Sequence, residues 1–309
     1  MTLSEFRIGA RGSPLSQAQT RWVRTRLARA LAVDEDALPI DAIQTTGDVR
    51  QEGRLQDAGG KGLFTKELDD ALLMGRIDIG VHSLKDVPAI LPDGIVLACT
   101  PPREDPRDAF VSLTAKRLED LPAGACMGTA SLRRQAQTLH ARPDLRVEVL
   151  RGNVDTRLKK LEEGVADATY LAISGLKRLG LEARASHLMD PHAFPPAPCQ
   201  GALALTVRAD DARALQAAQA IEDANARLEI EAERAFLAAL DGSCRTPIGA
   251  LARTDGNSLS FVGEILTPDG AKRWRREQTI QLQGDSASLA AELGKKLGEE
   301  IRAEAGEVW

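Results

Sequence analysis

A chain of 309 residues, 43% hydrophobic and 28% charged, has the makeup of a globular protein of two or three domains rather than a disordered or membrane-spanning one. Its formal net charge of −5 excludes a general nucleic-acid binder, which needs a basic face, but leaves room for a local anion site in a cleft. Cys99, Cys126, Cys199 and Cys244 form no C-x-x-C pair and have no His at zinc-ligand spacing, and a disulfide between two of them is the alternative to reduced thiols. Met1 to Glu5 has neither a basic nor an apolar leader segment, and no stretch approaches a membrane span. The expectation is a cytoplasmic protein with reduced thiols and no membrane partner.

Phe6 to Ala10 reads as a first strand. Ser13 is placed to cap the next helix with Pro14 at its first position, and Leu15, Ala18, Trp22, Val23, Leu27 and Leu31 recur at helical spacing. A strand over Ile40 to Thr45 follows, then a long polar stretch, Thr46 to Gly62, which ends in Gly59-Gly60-Lys61-Gly62. Phe64, Leu68, Ala71 and Leu72 mark a helix, and Ile77, Ile79 and Val81 alternate as a strand that runs into His82-Ser83-Leu84-Lys85-Asp86-Val87-Pro88. Strands alternating with helices imply a parallel α/β sheet, with ligands beyond the carboxyl ends of the strands, where Asp86 falls.

Pro101 to Pro106 is a stiff crossing, and a second α/β run follows. Its strands are Ala125–Met127, Val147–Leu150 and Ala168–Ile173. One helix carries Arg133 and Arg134; another, opened by Arg151-Gly152-Asn153, presents Val154, Leu158, Leu161 and Val165 on one face. Pro191 to Pro198 leads through Cys199-Gln200-Gly201 into a strand over Ala202–Val207. The last part has a helix over Leu228–Leu240, strands Ile248–Arg253, Ser258–Leu266 and Arg273–Gln281, and a final helix from Ser286. The expected organisation is domain 1 over 1–101 with a return over 200–219, domain 2 over 102–199, and domain 3 over 220–309.

Cations sit where helix dipoles disfavour them. Arg11 precedes one helix start, Arg133 and Arg134 follow another, and Arg151 and Arg157 flank a third. Surface arginines at helix starts are common, but three cases at presumed carboxyl ends of strands point to a bound anion that would satisfy both the guanidinium forks and the free N–H groups. Gly59 to Gly62 lacks the spacing of a phosphate-binding P-loop, and no G-x-G-x-x-G follows the first strand, so dispersed carboxylates fit better than a nucleotide. Cys244 lies on a loop beside Arg245, which favours its nucleophilic thiolate; the bland reading is a loop cysteine without a role. Asp86 before Val-Pro, taken alone, is an ordinary turn residue.

These segments resemble the porphobilinogen deaminase (hydroxymethylbilane synthase) family. The matches are Arg11-Gly12-Ser13-Pro14-Leu15, Gly59 to Phe64, Val81 to Pro88, Arg103 to Phe110, Gly128 to Gln135, Leu150 to Val154, Gly175 to Gly180 and Gly242 to Gly249, in order over nearly the whole chain. The resemblance implies two periplasmic-binding-protein-like α/β domains with a hinge, plus a small C-terminal α+β domain. It implies a transferase that joins four porphobilinogen molecules head to tail, releasing ammonia at each step, on a covalent dipyrromethane cofactor held as a thioether to Cys244. It also implies a monomer that needs no metal. Asp86 matches the catalytic carboxylate. Ser83, Lys85, Thr129, Ser131, Arg133 and Arg134 match cofactor-binding positions; Arg11, Ser13, Gln19, Lys61, Phe64, Arg151, Asn153, Arg157, Arg178 and Gln200 match substrate-binding ones. Cys199, Ala130 and Thr46 depart from residues frequent in the family. The alternatives are a non-catalytic two-domain carboxylate-binding protein and a Cys-His hydrolase using His82.

Overall fold

The computed structural model describes residues 6–46, 64–240, 242 and 246–306. The chain opens with β1 (Ile8–Arg11), α1 (Pro14–Leu31), β2 (Ile40–Ile43), α2 (Lys66–Leu73), β3 (Ile79–Ser83) and β4 (Ile95–Cys99). A second α/β run follows: β5 (Asp108–Ser112), β6 (Cys126–Gly128), α3 (Leu132–Ala141), β7 (Arg146–Glu148), α4 (Val154–Glu162), β8 (Ala168–Ala172), α5 (Ile173–Arg178) and β9 (His187–Leu188). Then come β10 (Leu203–Arg208), α6 (Ala212–Gln219), α7 (Ala224–Ala239), β11 (Ile248–Asp255), β12 (Ser258–Leu266), β13 (Arg273–Gln281) and α8 (Ser286–Ala305). No described helix is long and apolar enough to cross a membrane.

The described residues divide into two compact units. The first holds 6–46, 64–104 and 202–227; the second holds 105–201, 228–240, 242 and 246–306. The first unit's sheet is ordered β2-β1-β3-β10-β4 and one of the second unit's is ordered β7-β6-β8-β5-β9. Neither is purely parallel, which corrects the sequence expectation. β1 pairs parallel with β2 and β3, but β10 runs antiparallel to β3 and β4. In the same way β6 pairs parallel with β7 and β8, while β5 runs antiparallel to β8 and β9. Parallel neighbours need a crossover element between them. β5 and β10 follow proline-bearing connections instead of crossover helices, and each enters its sheet reversed.

Local sequence accounts for the elements around the strand ends. Ser13 Oγ accepts the Ser16 N–H, Pro14 starts α1, and Val23 and Leu27 bury its inner face in a core with Ile8, Ile79 and Leu205. In the second unit, Phe110, Met127, Ala168 and Tyr170 pack one face of the sheet, and Val111, Leu158, Leu161 and Leu176 the other. Val165, expected on the buried face of its helix, lies beyond α4 and is exposed, because the helix ends at Glu162 and Gly164 turns the chain with φ +75°. The C-terminal strands form an antiparallel meander ordered β11-β12-β13, with α7 and α8 closing a separate core around Phe236, Phe261 and Leu297. Gly294 sets how closely those helices pack: a Cβ there would fall 1.9 Å from the Ala232 carbonyl oxygen.

Candidate functional site

In the first unit the expected residues gather at the carboxyl ends of β1 and β3. Arg11 closes β1, Ser83 closes β3, and Lys85 and Asp86 follow in a single 3-10 turn, Leu84–Asp86. Arg11 Nη1 lies 3.9 Å from Asp86 Oδ2, with both side chains partly open to solvent. The Arg11 guanidinium also sits 4.3 Å from the centroid of the Phe64 ring, a cation–π contact that fixes its plane. Gln19 reaches from α1 and exchanges two hydrogen bonds with Ser83: Nε2 donates to Oγ at 2.9 Å, and Oγ donates back to Oε1 at 3.1 Å. Ser13 is the α1 cap, so its hydroxyl is committed to the helix start. Lys61 and Cys244, like the polar stretch after Thr46, lie outside the described residues.

His82 is not placed to activate a thiol. It is buried, and its Nε2 is 3.0 Å from the Thr206 hydroxyl on β10. Burial, joined by the nearby Arg11 charge, pushes its pKa down to about 4, so the ring is neutral at pH 7. Nor are Cys99, Cys126 and Cys199 available to reagents: all three side chains are buried. Burial pushes the Cys99 and Cys126 thiols up, away from the reactive thiolate.

In the second unit the pattern is tighter. Thr129 follows β6, where its N–H donates to the Glu148 carbonyl and its hydroxyl accepts the Ser131 N–H at 3.1 Å. Ser131 caps α3 by accepting the Arg134 N–H. Arg133 and Arg134, in the first turn of α3, are both buried and both ion-paired to Asp108, Nη1 of Arg133 at 2.8 Å and Nη2 of Arg134 at 2.6 Å. Sequence reasoning left these two arginines waiting for an external anion; the fold supplies a carboxylate of its own. Arg134 Nη1 also donates to the Tyr170 carbonyl, and Arg133 Nη1 to Gln137 Oε1 and the Pro195 carbonyl. Gln200 Nε2 reaches Asp108 Oδ1 at 2.9 Å and the Pro106 carbonyl at 2.7 Å. Burial alone would raise the Asp108 carboxyl, but the Arg133 and Arg134 charges outweigh it and hold the group well below the usual carboxylate range.

Asn153 caps α4, its Oδ1 accepting both the N–H and the hydroxyl of Thr156 at 2.8 Å. Arg157 Nε donates to the Gly152 carbonyl at 2.8 Å, and the Arg151 carbonyl accepts from Lys160 Nζ. Arg178, at the end of α5, reaches the Gly201 carbonyl at 3.4 Å. The structure therefore joins Arg133, Arg134 and Gln200 in one cluster, with Thr129 and Ser131 at the same helix start. Arg151, Asn153 and Arg157 stand together at the next strand end.

Sequence reasoning missed Asp108 as a member of this site. The available signal was an ionisable residue at the head of the apolar run Ala109-Phe110-Val111, where a charge is stable only if paired. It also missed Glu264, a buried carboxylate on β12 that accepts from Gln137 Nε2 at 2.8 Å and ties α3 to the C-terminal meander. Chemically, the first unit presents a half-exposed carboxylate beside one guanidinium, able to meet a developing cation or exchange a proton. The second presents fixed positive charge, suited to carboxylates.

Two family models match the chain: "Porphobilinogen deaminase, dipyromethane cofactor binding domain" over residues 6–216 and "Porphobilinogen deaminase, C-terminal domain" over residues 227–303. Porphobilinogen deaminase of Caulobacter vibrioides is 56% identical over 311 residues, which cover 98% of this chain and 96% of that protein. Porphobilinogen deaminase of Phenylobacterium zucineum is 53% identical, with 97% of each chain covered. Among solved structures, a nutrient binding protein from Burkholderia cenocepacia bound to methionine aligns with a TM-score of 0.43 at 14% identity, over 72% of this chain and 93% of that one.

Proposed function

The chain belongs to the porphobilinogen deaminase family, transferases of tetrapyrrole biosynthesis, and from that premise we propose how its residues divide the work. The substrate is porphobilinogen. Four molecules are joined head to tail with loss of ammonia at each step, and hydrolysis frees the linear tetrapyrrole, hydroxymethylbilane. The non-catalytic carboxylate-binding reading is not favoured beside relatives that carry the enzyme's name over nearly their full length.

The residues present fit a dipyrromethane cofactor. Its acetate and propionate groups need fixed cations, and the Arg133–Arg134–Asp108 cluster keeps one positive charge in excess, with the Nε of each arginine buried and unpartnered among the described residues. Held as a thioether to Cys244, the dipyrromethane supplies the pyrrole carbon to which substrate is added. Arg133 and Arg134 fix its acid groups, with Ser83, Lys85, Thr129 and Ser131 as further donors. Arg11, Arg151, Asn153, Arg157 and Arg178 receive the substrate's carboxylates, with Ser13, Gln19, Lys61 and Phe64 beside them; Gln200, whose amide N–H groups go to Asp108 and the Pro106 carbonyl, serves that site by holding Asp108. Loss of ammonia leaves a cationic azafulvene, and the Asp86 carboxylate stabilises that cation and moves protons at the pyrrole nitrogens.

One observation carries this division: Arg11, Phe64, Ser83, Gln19 and Asp86 meet at the carboxyl ends of β1 and β3, with Asp86 only loosely held. Intact-protein mass tests the attachment. The wild-type chain should exceed its polypeptide mass by a two-pyrrole unit. Cys244→Ala should show bare mass and make no tetrapyrrole. A Cys244→Ala protein that carries the adduct and retains activity refutes the attachment.

A further inference from the structure

Asp108 opens β5 with no exposed surface, and two hydrogen-bond donors and one further guanidinium charge converge on it. Oδ1 accepts from Arg134 Nη2 at 2.6 Å and Gln200 Nε2 at 2.9 Å, and Oδ2 lies 2.8 Å from Arg133 Nη1. Two guanidiniums held against one carboxylate repel each other, and in the interior an uncompensated charge is strongly unfavourable. One carboxylate neutralises one of them. Each guanidinium brings five N–H donors, and the Nε donors of Arg133 and Arg134 are buried with no partner among the described residues. Glu264, the other buried carboxylate near Arg133, is already shared between Arg273 at 2.6 Å and Arg275 at 3.4 Å. Among the described residues the cluster is thus short of one anionic group, and Asp108 Oδ2 pairs with Arg133 by charge without accepting a hydrogen bond.

We propose that Asp108 is a positioning residue that keeps Arg133 and Arg134 assembled side by side before the cofactor arrives, and leaves them one positive charge for a cofactor carboxylate. The proposal rests on the reading of this site as the dipyrromethane site. With no exposed surface, Asp108 acts through the arginines and Gln200 and not on the ligand. Its charge sets the number of external carboxylates the pair accepts: one with Asp108 ionised, more if its charge is removed.

The test uses the full chain made without porphobilinogen and the same chain after porphobilinogen is added, with thermal midpoint and intact mass as readouts. In the unloaded chain, Asp108→Asn should lower the midpoint by roughly 10 °C, because two buried guanidiniums lose their counter-ion. Loading should recover at least half of that loss, a larger gain than wild type shows, because a ligand carboxylate replaces the missing charge. Equal losses in loaded and unloaded protein would make Asp108 a purely structural ion pair and overturn the proposal. If Asp108→Asn does not fold, the double variant Asp108→Asn/Arg134→Met removes one charge of each sign; it should fold and load poorly. A double variant that also fails to fold, or that loads like wild type, overturns the proposal. Absence of any adduct on the wild-type chain would sink the cofactor reading and the proposal with it, whereas a normal adduct with equal losses sinks the proposal alone.

Discussion

The sheets β2-β1-β3-β10-β4 and β7-β6-β8-β5-β9 share one pattern, three parallel strands, then a reversed strand, then a fifth strand antiparallel to that one. They differ in what the reversed strand brings. β10 sets the uncharged Thr206 hydroxyl against a neutral His82, and Arg11 and Asp86 stay at the strand ends of that unit, partly in water. β5 opens with Asp108 and draws two arginines into the interior with it. One scaffold thus yields an adjustable carboxylate in the first unit and fixed, preorganised charge in the second. A group that must exchange partners and protons benefits from screening, and a group that must only hold an anion benefits from burial.

The largest effect that separates the two modes is on rate. Asp86→Asn keeps the shape of the turn and removes the charge. In protein shown by mass to carry the cofactor, it should turn over about 10²–10³-fold slower than wild type, with Asp86→Glu retaining part of the activity. Steady-state turnover of the Asn variant within a few-fold of wild type would reduce Asp86 to a turn residue.

The next test sets two buried carboxylates against each other through pH. Asp69, on α2, has no cation beside it among the described residues. Burial, joined by the Asp70 and Glu67 charges, pushes its pKa up to about 6. Because its folded pKa lies above the unfolded value, its contribution to stability is full below about pH 4 and is lost as pH rises through 6. Asp69→Asn should therefore stabilise the fold by about 1 kcal/mol at pH 8, after discounting for solvent screening, and by progressively less toward pH 4. Asp108 has the opposite sign: its folded pKa is depressed, so its contribution is present above about pH 4 and is lost in acid. Melting curves between pH 4 and 8 that show a constant gain for Asp69→Asn would mean that Asp69 keeps ordinary acidity.

The smallest expected effect is at Cys199, just before Gln200. It holds φ at +65°, in the left-handed region, and its side chain is buried. Cys199→Gly should remove backbone strain of about 1 kcal/mol and lose a similar amount of apolar burial, leaving the midpoint within about 2 °C. A clearly larger fall would show that the thiol's packing, rather than the backbone, governs this position.

Several features were legible in the sequence because their causes are local. Ser13-Pro14 starts α1 through contacts three residues long, and the C-terminal strands alternate and turn within their own length. The arginines at strand ends could be found because a helix start is a local feature with a known sign of charge. The sequence alone also determined the family, through motifs spread over nearly the whole chain. Other features were decided only by tertiary structure. The reversal of β5 and β10 depends on which strands they meet, up to 126 residues away in sequence for Thr206 and Gly80. Most of all, the partner of Arg133 and Arg134 is a carboxylate 26 residues from Arg134, on another strand, and a buried charge is compensated by what folding places beside it, which spacing along the chain does not reveal.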